Sequence, residues 1–232
     1  MSIKSWISGV ASSVGNFFGG IGGHVGGFLL ELFSRIIGVP EFLVGWWFGW
    51  QHLKRIKVRV VILKDRNGVE LVSHADVQPT LARTQQILQD EANVSVNVLG
   101  IVIVDEASPE SALNVDSEFD LWLDNFGGAG GYYRQYTDDY GVAKPLTVFI
   151  INNIEGSAGL SLGPFANYVL VEVSRFTSAS PSRTVAHEIG HACGLLHRSD
   201  NENLLYRHGG EGDKLTNWQS SVMRSSHFIG YF

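Results

Sequence analysis

The spacing of five residues near the carboxyl end constrains this chain more than any other feature. His187, Glu188, His191, Gly194 and His197 fall in the pattern H-E-x-x-H-x-x-G-x-x-H. On an α-helix, side chains four positions apart share one face, a single turn from each other. His187 and His191 therefore present two imidazoles at a separation that suits one zinc ion. Glu188 follows the first histidine and projects beside such an ion rather than onto it, where a carboxylate can take a proton from water. Glycine admits the left-handed conformation that ends a helix, so the chain turns at Gly194 and returns His197 as a third ligand. Three protein ligands leave a fourth position for water, the arrangement of a catalytic site and not of a closed structural one. The expected cofactor is one catalytic zinc ion held by His187, His191 and His197.

The flanks agree with a helix. Ser180 is the expected N-cap, Pro181 the first helical residue and Gly194 the stop. Cys193 sits inside this helix as a small buried apolar residue. It is the only cysteine, so no intrachain disulfide forms.

This constellation resembles the metzincin superfamily of zinc endopeptidases, and the segment from Arg198 to Tyr206 is similar in spacing to its matrixin-like branch. There the position of the family's turn methionine falls on Leu205, followed by Tyr206. Leucine has a similar volume and serves as an apolar floor under the metal at small cost. Arg207 stands where matrixins usually carry proline, a departure in the wall of the substrate pocket. The resemblance implies peptide-bond hydrolysis, with Glu188 as general base and a protein or peptide as substrate. It also implies an antiparallel edge strand above the cleft, for which Ser157, Ala158, Gly159, Leu160, Ser161 and Leu162 are the candidates. A free strand edge pairs with an extended peptide through main-chain hydrogen bonds; a plain loop is the competing reading of these six residues. Asp200 reads either as a group that orients the loop or a ligand imidazole, or as a former of the turn.

The pattern from residue 54 onward predicts an α/β fold. Strands are expected at 56–63, 94–104, 146–151 and 168–173, and helices at 77–92 and 119–126, with a flexible glycine loop at 127–131. Strands alternating with helices imply a twisted, mostly parallel sheet. The metzincin resemblance adds the antiparallel edge strand, the active-site helix and a small C-terminal subdomain with one helix. That last helix opens at Thr216 as cap and turns Val222 and Met223 inward.

Residues 1–53 are a different kind of chain, expected to precede a catalytic domain at 54–232. From Ser5 to Leu30 there is no charge apart from protonation of His24, and Gly15, Gly19, Gly23 and Gly27 make three consecutive G-x-x-x-G steps. Residues 28–37 read as an amphipathic helix with Phe28, Leu29, Leu32, Phe33, Ile36 and Ile37 on one side, and Glu31 and Arg35 paired on the other. Trp46, Trp47, Phe48 and Trp50 then precede Lys54, Arg55, Lys57 and Arg59, an aromatic-then-cationic order seen at membrane interfaces. Membrane association or self-association through residues 5–50 is the expectation. A pro-segment over the site, a delivery signal and a flexible leader are the alternatives.

The net charge is −6 and no basic patch is present, so no nucleic-acid partner is expected. Secretion or membrane association, in a chain of prokaryotic or viral origin, is the expected setting. The competing function is a metzincin-like scaffold of little or no activity, serving as a membrane-active or docking module.

Overall fold

A computed structural model of the chain describes residues 29, 31–36, 38–39, 41–43, 47–48, 52–116, 129–137, 142–208 and 212–231. The glycine steps at 15–27, His24, and the helix expected at 119–126 lie outside the described residues.

The elements run in the order β1 (Lys54–Ile62), α1 (His74–Ala92), β2 (Val94–Ile103), α2 (Glu110–Leu113), β3 (Asn114–Val115), α3 (Ala129–Arg134), β4 (Leu146–Ile151), β5 (Asn153–Ile154), β6 (Gly159–Ser161), β7 (Tyr168–Glu172), α4 (Thr184–Ala192), α5 (Asn217–Arg224) and β8 (Ile229–Gly230). The main sheet has the order β2-β1-β4-β7-β6. β1, β2, β4 and β7 are parallel, β6 runs antiparallel against β7, and β8 adds an antiparallel pairing to β1. The fold is therefore mixed α/β, with a mostly parallel sheet and an antiparallel edge strand.

Period-two alternation in the central strands fills both faces of the sheet. Ile56, Val58, Val60 and Ile62 of β1 join Leu146, Val148 and Ile150 of β4 in the core shared with α1, α4 and α5. Val61, Phe149, Ile151 and Leu170 point the other way, into a second core with Ala112 of α2 and Tyr133 of α3. Tyr133 is fully buried and its hydroxyl donates to the Ala112 carbonyl at 2.7 Å, which satisfies its one polar atom.

Two expectations need correction. Helix α4 starts at Thr184, not at Ser180 and Pro181, because the Ser182 hydroxyl accepts from the Thr184 amide at 3.1 Å and closes the chain into a turn just before the helix. The glycine loop expected at 127–131 gives way from Ala129 onward to α3, where burial of Ala129, Gly130 and Tyr133 outweighs the low helix propensity of glycine. Residues 31–36 are helical, and it is their charged side that turns toward the domain. Glu31 is buried and Arg35 half-buried, while Leu29, Leu32, Phe33 and Ile36 are exposed. The Glu31–Arg35 pair itself forms, at 2.5 Å.

Polar partners on the domain explain this orientation. Glu31 Oε2 accepts from the His227 amide, His227 Nδ1 and the Ser226 hydroxyl, at 3.0, 2.7 and 3.0 Å. Ten residues on, Glu41 accepts from Lys54 Nζ at 2.7 Å, Arg224 Nη2 at 2.5 Å and the Tyr231 hydroxyl at 2.7 Å. Two buried or half-buried carboxylates with full sets of donors outweigh what one small apolar face gains by turning inward. Among the described residues no helix is long and apolar enough to cross a membrane.

Candidate metal centre

Helix α4 packs Val185, Ala186, Ile189 and Ala192 into the core beneath the sheet. That leaves His187, Glu188 and His191 along the side that meets the cleft. The helix ends as its sequence requires: Gly194 has φ +83°, and its amide donates to the His191 carbonyl at 2.8 Å. The chain reverses there, and the three imidazoles converge. His191 Nε2 lies 3.0 Å from His187 Nε2 and 3.2 Å from His197 Nε2. His187 is buried, His191 half-buried and His197 exposed.

The Nδ1 atoms of His187 and His191 are tied to backbone. His187 Nδ1 lies 2.7 Å from the Leu204 carbonyl and His191 Nδ1 lies 2.8 Å from the Leu195 carbonyl. A carbonyl only accepts, so each Nδ1 carries the proton and each Nε2 keeps its lone pair free. Burial, then the neighbouring His191 ring, pushes the pKa of His187 down to about 3. Burial brings His191 down to about 4. Both rings are thus neutral near pH 7, the form that binds a metal. A tetrahedral zinc with bonds of about 2.0–2.1 Å sets its ligand nitrogens roughly 3.3 Å apart. The two spacings from His191 are close to this value, and the ligand atoms of all three histidines lie within 4.8 Å of one another.

Leu205 is fully buried, and its two methyls would stand 3.3 Å from a β-carbon placed on Gly190. It therefore packs against the underside of α4 at the turn after the third histidine. Tyr206 and Arg207 line the cleft, Tyr206 half-buried and Arg207 exposed. Asp200 accepts the Glu202 amide at 3.0 Å, the turn-forming alternative of its two readings.

Of the six edge-strand candidates, Gly159, Leu160 and Ser161 form β6, while Ser157, Ala158 and Leu162 flank it and all six line the cleft. Among the described residues β6 is the last strand of the sheet, with β7 on one side only. Gly159 abuts the catalytic candidate directly: a β-carbon there would lie 2.5 Å from Glu188 Oε1 and 2.8 Å from Thr184 Cγ2. The cleft is open and holds about 1640 Å³. Small-molecule sites measure about 300–1,000 Å³, so this one has room for an extended polymer.

Two contributors went unread in the sequence. Arg183 precedes α4 and donates from Nη1 to the Leu204 carbonyl and from Nη2 to the Tyr206 carbonyl at 3.0 Å, with Nη1 3.3 Å from His187 Nδ1. Its signal was the four-residue step to His187, which puts both on one helix face. Arg35 is the other: Nη2 donates to the Cys193 carbonyl at 2.9 Å and would touch any side chain at 194. A cation at a helix C-terminus satisfies an orphan carbonyl and complements the helix dipole. Cys193 is a buried small residue, as expected, with burial pushing its thiol up to about 12.

No family model matches the chain, and no curated protein matches it significantly. Among solved structures it is similar to metalloproteinase-II from Bacteroides fragilis, at 15% identity and a TM-score of 0.43 over 72% of this chain and 50% of that one. It is similar to archaemetzincin from Methanopyrus kandleri, at 17% identity and 0.41 over 75% and 88%. It is also similar to a chain in a chaperone–substrate complex, at 12% identity and 0.44 over 75% and 39%. The chain thus spans about half the length of the first of these and less of the third.

Proposed function

We propose that the protein is a zinc-dependent endopeptidase of metzincin type. The observation that carries this reading is the convergence of three Nε2 atoms, with those of His187 and His191 deprotonated, beside a carboxylate on the helix that carries these two. Zinc, when bound by His187, His191 and His197, supplies the Lewis acidity that makes water a nucleophile near neutral pH and a positive charge for the developing oxyanion. The protein does the rest. The free edge of β6 aligns an extended peptide along the cleft. Glu188 takes the proton of the attacking water and hands it to the leaving amine, as a general base and then a general acid. The carbonyls of Leu204 and Leu195 hold two of the imidazoles in register throughout. Leu205 takes the place of the family's methionine beneath the site. Residues 54–232 are read as the catalytic unit.

Cleavage of an unfolded protein substrate by the full chain tests this reading. Activity is expected to vanish with a chelator and to return with one equivalent of zinc. Zinc bound at one equivalent without any cleavage would overturn it in favour of an inactive scaffold.

A further inference from the structure

The helical turn at 31–36 shows an arrangement the metal site does not use. Between residues 29 and 48 the only charged side chains are Glu31, Arg35 and Glu41. All three are turned toward the domain and held there. Arg35 reaches the Cys193 carbonyl at the end of the metal helix and the Ser225 hydroxyl at 3.2 Å. Glu31 is held by His227 and Ser226, and Glu41 by Lys54, Arg224 and Tyr231. The outward side is apolar: Leu29, Phe33, Ile36, Val39, Leu43 and Phe48 are between 45% and 77% exposed. A surface segment in water normally shows the reverse. Leu32, from the same face, also lines the cleft, so this apolar side borders the metal site.

We propose that this outward face lies on a lipid bilayer surface and fixes the cleft next to it. Three observations favour lipid over a second copy of the chain. The outward positions offer no charged group, whereas a specific protein interface needs roughly one hydrogen bond per 100–200 Å²; hydrocarbon needs none. The chain enters this face from a run, Ser5 to Leu30, with no charge apart from His24 protonation, which is long enough in sequence to reach through a hydrocarbon layer. Trp46, Trp47 and Trp50 follow the face, and tryptophan concentrates at the level of lipid headgroups. The exposed outward positions carry no charge, so the attraction is apolar and neutral lipid suffices. The polar contacts of Glu31, Arg35 and Glu41 make the face a rigid extension of the domain, so that the site addresses peptide segments near the bilayer. That consequence rests on the peptidase reading; the docking itself does not.

The test uses the full-length protein and vesicles of phosphatidylcholine alone, read by flotation at 0.15 M and 1 M salt. A triple variant carries Phe33→Glu, Ile36→Glu and Leu43→Glu, three exposed positions outside the cleft lining. Its zinc content and circular dichroism verify that it is folded. The parent is expected to float equally at both salt concentrations. The variant is expected to partition at least about tenfold less, since each buried Leu, Ile or Phe contributes on the order of tenfold or more to transfer. The proposal is overturned if the folded variant floats as well as the parent, because the preceding run then binds alone. It is equally overturned if the parent fails to float, whether it sediments as a monomer or as a dimer that the variant dissociates.

Discussion

Gly159 of the edge strand and Glu188 of the metal helix touch so closely that a β-carbon on Gly159 would stand 2.5 Å from the Glu188 carboxylate oxygen and 2.7 Å from its γ-carbon. The strand backbone thus forms the wall that holds this carboxylate, and only glycine leaves room for it. Gly159→Ala is expected to displace Glu188 while the three histidines keep their places. Turnover should fall about 100-fold, the scale of a displacement near 1 Å, with zinc content unchanged. Parent-like kcat in that variant would contradict the contact.

Arg183 joins the start of the metal helix to the chain after the third histidine. Its guanidinium spans the carbonyls of Leu204 and Tyr206, and the first of these also holds His187. A lysine has no fork to span them. Arg183→Lys should lower zinc affinity about 10–100-fold, measured by competition with a chelator. Unchanged affinity would show that the Leu204 carbonyl is held without Arg183.

Leu205 fills the space under Gly190, with both its methyls against the helix. Leu205→Met keeps the volume and should cost less than about 1.5 kcal/mol. Leu205→Ala opens a cavity beneath the metal helix and should cost about 2–5 kcal/mol. Urea unfolding of the two zinc-loaded variants measures the difference. Equal stabilities would mean that this side chain bears no load.

The attachment of residues 31–43 depends on two carboxylates. Burial raises the pKa of Glu31, but the hydrogen bonds from His227 and the Arg35 charge outweigh it and leave the group below its ordinary 4.5. Burial also raises that of Glu41, and Lys54, Tyr231 and Arg224 outweigh it in the same direction. A depressed carboxylate stabilises the folded state fully above 4.5, and the contribution is lost as pH falls through the lowered value. Hydrogen exchange at residues 31–36, corrected for intrinsic rate, should stay slow from pH 7 to 4.5 and accelerate below it. Glu31→Ala should remove the protection at pH 7, since breaking a buried pair costs about 3 kcal/mol or more. Constant protection down to pH 3 would contradict the role of these groups.

The strands were legible because their cause is local. The apolar run Leu146–Ile151 is buried on both faces, and its bounds follow from the sequence alone. Helix α1 begins three residues before its apolar spacing does, because Ser73 and Asp76 form a capping box ahead of it. The approach of His187 to His191 was legible because helix geometry dictates their spacing. The orientation of residues 31–36 was not. Periodicity tells which side chains share a face, but partners nearly two hundred residues away, His227 and Ser225, decide which face turns inward. The same limit hid the part of Gly159: a glycine in a short strand reads as flexibility until the residue packed on it is known.

The pair of measurements that bears most directly on the site is bound zinc and peptide cleavage in the full-length protein and in its Glu188→Ala variant. One zinc per chain in both proteins, with cleavage of an unfolded substrate in the parent alone, is the predicted result. Equal cleavage by the variant, or a parent that binds no zinc, would contradict the assignment of these four residues.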